Sequence, residues 1–104
     1  ELQAATDPSL MNQIFTAFIS EGAERIRMLK NSLAEHDSEA LRKTAHALKG
    51  ASSTIGAQRM ADIALRLEML ATTMPMTEAS TLAAQIEDEF ERVKAELAKL
   101  DTDT

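Results

Sequence analysis

Apolar residues recur every three or four positions in four separate runs along this chain, and that spacing limits its fold more than any other feature. A period of 3.6 residues lines such positions up on one face of a helix. The first run is Met11, Ile14, Phe15, Phe18, Ile26, Leu29 and Leu33, with Gly22 and Arg25 filling the same stripe. Gly22 is expected to mark a bend or a close helix contact. The second run is Leu41, Ala45, Leu48, Ser52 and Ile55. The third is Met60, Ala64, Leu67 and Ala71, with Ile63 and Leu70 beside it. The fourth is Leu82, Ile86, Phe90, Val93, Leu97 and Leu100.

Each run is bounded by start and stop signals. Asp7-Pro8 opens the first helix, because Asp accepts from free amides and Pro fits the first helical position. Asp37-Ser38 caps the second, and Gly56 stops it. The third ends before Met74-Pro75, and Thr77 is expected to cap the fourth. Short connections make neighbouring helices antiparallel. The expected fold is all-α: an antiparallel up-down four-helix bundle, with room for a short helical turn ahead of it. The domain is expected to span residues 8–100, with flexible flanks at 1–7 and 101–104.

Composition agrees and excludes several functions. A chain of 104 residues is one domain, with Phe15, Phe18 and Phe90 as its only aromatics. Leu, Ile, Met and Ala must build the core, which suits helices. The net charge of −6 disfavours a phosphate-backbone binder. With no Cys, thiolate catalysis, disulfides and Cys-ligated zinc are excluded. No apolar run reaches the roughly 18 residues of a membrane span. The domain is expected to be cytoplasmic. The start at Glu1 suggests a piece of a longer protein, whose parent could be anchored in the inner membrane.

One segment carries chemistry. On a helical wheel centred on the Leu41, Ala45, Leu48, Ser52, Ile55 stripe, His46 falls roughly 140° from the core direction. Arg42 precedes it by one turn; Lys49 and Gly50 follow by one turn. A neutral imidazole is a good nucleophile near neutral pH. Neighbouring cations would stabilise a phosphoryl group attached to it. A glycine in mid-helix costs about 1 kcal/mol relative to Ala. Opposite the core, Gly50 has no packing use; its use is to let another macromolecule approach His46. Ala47 and Ser53 are small as well. A lone surface His is usually only that, and it is the combination that raises the odds. His36, at a helix end with no organised neighbours, reads as a surface residue. The Glu87-Asp88-Glu89 run reads as a solvated face rather than a metal site. There is no glycine-rich phosphate loop for ATP.

His46-Ala47-Leu48-Lys49-Gly50, with Gly56 ten residues after the His, resembles the signature of histidine-containing phosphotransfer (HPt) domains. Residues 57–68, which end in Leu67-Glu68, are similar to that family's following helix. The resemblance implies a helical bundle that takes a phosphoryl group from a receiver-domain aspartate and passes it to another receiver. It implies His46 as the acceptor at Nε2, Lys49 as the group that stabilises the phosphoryl, and Gly50 as the space for the receiver. It implies that Glu68 hydrogen-bonds the other ring nitrogen and orients the imidazole. Receiver docking is expected around His46, at Gly50, Arg42 and Ser53, with Ile19 of the first helix as a further candidate. The domain is expected to be a transiently docking monomer and a carrier without independent catalysis. No metal or cofactor of its own is expected; Mg²⁺ would sit in the receiver. The parent chain is expected to be a hybrid sensor histidine kinase with this module at its C-terminus.

Two other readings remain, and a third is set aside. The phospho-accepting domain of a chemotaxis-type kinase has a similar motif, also carries Glu at this position, and is charged from ATP. A helical interaction module without chemistry is the second. The dimerisation domain of ordinary histidine kinases is the third, but it expects an acidic residue after the His and Pro four residues on. Ala47 and Gly50 stand there.

Overall fold

The computed structural model describes residues 8–102. Four α-helices follow one another: α1, Pro8–Ala34; α2, Ser38–Thr54; α3, Gln58–Leu70; and α4, Met76–Thr102. They form a ring in which α1 packs on α2, α2 on α3, α3 on α4, and α4 back on α1. The connections at 35–37, 55–57 and 71–75 are too short for anything but antiparallel neighbours. The chain is the expected four-helix bundle, without strands among the described residues. The expected helical turn before it, the flank at 1–7 and Asp7 as a cap lie outside the described residues. At the other end, α4 runs on through residues 101 and 102, two residues into the expected flank.

The stripes become the core. Leu41, Ala45, Leu48, Met60, Ala64, Leu67 and Ile86 are completely buried, and Phe18, Ile26, Leu29, Ala71, Leu82, Phe90, Val93 and Leu97 nearly so. Burying a Leu- or Phe-sized side chain contributes roughly 1.5–3 kcal/mol, so this shared interior dominates the fold. Three hydroxyls lie in it too. Ser32, Thr44 and Ser52 each donate to the carbonyl four residues earlier, at 2.9, 2.8 and 2.7 Å, so none is buried unsatisfied. Ile14 departs from the expected stripe and is exposed. The reason is length: α1 has 27 residues and α2 only 17, so the first turns of α1 extend past the partner helix.

Gly22 is a close contact. A Cβ there would come within 2.5 Å of the Phe90 ring. Phe90 is buried and packs against Phe18, with ring centroids 5.6 Å apart. Glycine therefore sets how near α1 lies to α4.

Two helix ends use the same device. The amide of Asp37 donates to Ser32 O (2.9 Å) and that of His36 to Leu33 O (3.1 Å). The amide of Ala57 donates to Ser52 O (2.8 Å) and that of Gly56 to Ser53 O (3.1 Å). Each is a Schellman ending with its key residue in the left-handed region: Gly56 at φ 80° and His36 at φ 55°. Asp37 then caps α2, its carboxylate accepting from the amide of Ala40 at 3.1 Å. Thr77, expected as the cap of α4, is inside its first turn. Pro75 offers the first carbonyl instead, accepting from the amides of Glu78 and Ala79.

Two stability outcomes are expected in urea titrations. Gly22→Ala loses about 1 kcal/mol net, because overpacking against Phe90 outweighs the gain in helix propensity. His36→Gly gains about 0.5–1 kcal/mol by relieving the left-handed backbone of a side chain. An unchanged midpoint in either variant would contradict that account.

Candidate functional site

The completely buried stripe of α2 turns the opposite side of that helix to water. His46 stands on the outer side, with its side chain 63% exposed. Across the groove, α3 brings up Glu68, whose side chain is only 17% exposed because it lies between the two helices. Glu68 Oε2 is 2.8 Å from Nδ1 of His46. Its other oxygen, Oε1, is out of solvent and faces the Lys49 ammonium at 3.2 Å. One carboxylate thus joins the ring and the cation one turn beyond it.

The charge state of Glu68 sets the roles. Its pKa is held below the usual carboxylate value, first by the hydrogen bond with His46, with burial opposing and Lys49 adding to the lowering. An ionised carboxylate can only accept. Nδ1 must therefore carry the hydrogen and donate it, and in the neutral ring this leaves the lone pair on Nε2, on the far edge of the exposed ring. Among the described residues Nε2 has no protein partner.

The remaining predicted residues are placed as follows. Lys49 is half-buried and pairs with Glu68 at 3.2 Å. Arg42 is drawn back along its own helix, where its Nε donates to Glu39 at 3.2 Å. It is near the site but does not contact the imidazole; the Glu39–Arg42 spacing of three residues is the sequence signal for that pairing. Gly50 is exposed, with open space where a Cβ would stand. Ser53 is exposed one turn further on. Ile19 is not on this face: it packs on the core and lines a groove with Leu97 of α4. Sequence reasoning missed an apolar patch on α3. Leu65 is 38% exposed and Met69 is 69% exposed, both on the outer side of α3 from Glu68. The stripe of Met60, Ala64, Leu67 and Ala71 already turns Met69 to the opposite side of α3, and wheel geometry is the signal that could have found it.

The acidic run on α4 has structural partners. Glu87 pairs with Lys30 of α1 at 2.8 Å. Glu89 pairs with Arg59 of α3 at 3.0 Å and with Arg92 at 2.8 Å. It ties neighbouring helices rather than facing water alone. No helix among the described residues is long and apolar enough to cross a membrane.

An imidazole held outward from an antiparallel bundle, with one nitrogen engaged by a carboxylate and the other open, defines a class: small helical domains that present a histidine on the outer face of a helix. Residues 13–96 match the Hpt domain family. The crystal structure of histidine-containing phosphotransfer protein B (HptB) from Pseudomonas aeruginosa PAO1 superposes with a TM-score of 0.89 at 31% sequence identity. The match covers 99% of this chain and 89% of that one. No curated protein matches the sequence. The chain belongs to the Hpt family, and its role is phosphotransfer in two-component phosphorelays, with receiver domains as the kind of partner.

Glu89 gives a pH test that leaves His46 alone. The hydrogen bond from Arg92, opposed by burial and helped by Arg59, holds its carboxyl below the ordinary value. A carboxyl depressed in the folded state adds stability above its unfolded pKa, near 4.3, and loses it as pH falls through the folded value. The wild-type urea midpoint is expected to drop as pH falls below about 4.3. Glu89→Gln should start lower at pH 7 and fall less steeply; parallel curves would refute the coupling.

Proposed function

We propose that His46 is the phosphoryl acceptor and donor of this domain. The observation that carries the reading is the division of the ring: Glu68 takes Nδ1–H, and the open nitrogen is Nε2. In the forward step the Nε2 lone pair attacks the phosphorus of a receiver's aspartyl phosphate. The Nε2–P bond forms, the P–O bond to the aspartate breaks, and the carboxylate leaves with that electron pair. The reverse step charges the next receiver. Most of the charge stabilisation comes from positioned cations, as is usual for phosphoryl transfer. The Mg²⁺ would belong to the receiver. Lys49 moves its ammonium from Glu68 Oε1 towards the phosphoryl oxygens.

Docking uses the face around His46. Gly50 leaves the approach open, Ser53 and Arg42 border it, and Leu65 and Met69 supply apolar contact on α3. Such a surface suits a modest, short-lived complex with a single receiver. The domain acts as one copy, since its four stripes already bury one another. A hybrid sensor histidine kinase is the proposed parent.

The test is transfer of label from phosphorylated receiver domains. His46→Ala is expected to take none, and His36→Ala is expected to behave as wild type. Lys49→Ala should slow charging about tenfold or more, and Met69→Asp should weaken docking while leaving chemical charging of His46 intact. Label reaching His46→Ala at the wild-type rate would remove His46 from the role. Labelling only by an ATP-fed kinase would favour the chemotaxis-type reading.

A further inference from the structure

We propose that Glu68 governs the discharge of the carrier: it keeps the proton on Nδ1 of phosphorylated His46, so that the phosphoryl group departs from a neutral imidazole. The inference rests on His46 being the acceptor.

With phosphorus on Nε2, the ring can hold a hydrogen on Nδ1 or lose it to solvent. If Nδ1–H is present, breaking Nε2–P returns the electron pair to Nε2 and releases a neutral imidazole. The phosphorus meanwhile bonds to the incoming carboxylate or water oxygen. If Nδ1–H is absent, the same break must release an imidazolate anion, a strong base and a poor leaving group. The proton on Nδ1 therefore decides whether the carrier can unload.

The surroundings assign that proton to Glu68. The ring is mostly exposed, so solvent can reach it. On α2, Lys49 is tied to Glu68 at 3.2 Å, Arg42 is held by Glu39, and Lys43, one turn before the ring, is exposed to solvent. On α1, which packs on α2, Arg25 is held by Glu21 at 3.5 Å. The fourth helix makes no contact with α2 among the described residues. The carboxylate at 2.8 Å is thus the anion in contact with Nδ1. Its lowered pKa keeps it ionised through the neutral range. Charging reinforces the contact. A phosphoryl group on Nε2 draws Lys49 towards itself, and Oε1 has no other protein partner. Nδ1–H is then the strong donor that remains to Glu68. Glu68 is a positioning residue for the proton, and it acts on unloading more than on docking.

The experiment uses the full chain charged with potassium phosphoramidate, a small P–N donor, so that no partner receiver is needed. After removal of the reagent, phosphorus and ring-nitrogen NMR follow the Nδ1 proton and the loss of phosphoryl from pH 5 to 10. Wild type is expected to keep Nδ1–H, and to stay labile, to a pH about one unit higher than Glu68→Gln. Above both midpoints that shift means about tenfold slower loss from the variant. Gln still accepts the same hydrogen bond, so a purely structural role would leave the profile where it was. Superimposed profiles would overturn the inference. If Glu68→Gln fails to fold or to charge, Glu68→Asp decides: with the carboxylate one methylene short of Nδ1 the midpoint should fall, and an unmoved midpoint overturns the proposal. A phosphoryl group found on His46→Ala would instead overturn the acceptor reading beneath it.

Discussion

The burial of the α2 stripe against α3 is the contact on which the rest depends. Leu41, Ala45 and Leu48 from one helix and Met60, Ala64 and Leu67 from the other are all withdrawn from water. With these positions fixed, neither helix can rotate without exposing its apolar face. The tight ending at Gly56 turns the chain back within three residues and sets the register between the two helices. The groove that results places Glu68 beside His46. The site is thus held by apolar packing beneath it, and the packing is the larger energy: a surface ion pair contributes about 0–1 kcal/mol, whereas one buried Leu contributes more.

The site itself economises on groups. One carboxylate contacts Nδ1 of the imidazole, holds Lys49 close, and stays ionised because both partners favour its charge. Burial works against that charge, and the partners outweigh it. A more buried Glu68 would need still stronger partners, and a more exposed one would lose its hold on Nδ1 to water. Its position between two helices, shielded but not sealed, balances these demands while Nε2 remains open to a docking protein. The long helices α1 and α4 stay apart from this chemistry. They supply the Gly22–Phe90 contact and the Lys30–Glu87 pair that close the ring of helices.

Much of this was legible in the chain because helical periodicity is a local property. The stripe residues, the cap at Asp37, the stop at Gly56 and the outward face of His46 all follow from 3.6 residues per turn and from which side chains satisfy free amides. Gly56 announces a left-handed ending; His36 has the same backbone and does not, because local sequence marks such an ending clearly only when the residue is Gly. Ile14 and Ile19 were misplaced for related reasons. A wheel gives direction but not how far the neighbouring helix extends, nor which neighbour lies on each flank.

The sequence by itself determined four amphipathic helices, their order, and a histidine directed away from the core with a lysine one turn later. Those depend on spacings of three to seven residues. Only the tertiary structure decided that Glu68, twenty-two positions from His46, lies within 2.8 Å of Nδ1. It also decided that Ile19 turns to α4. These depend on how far one helix slides and rotates against another, and that is set by the whole buried interior at once rather than by any short stretch of chain.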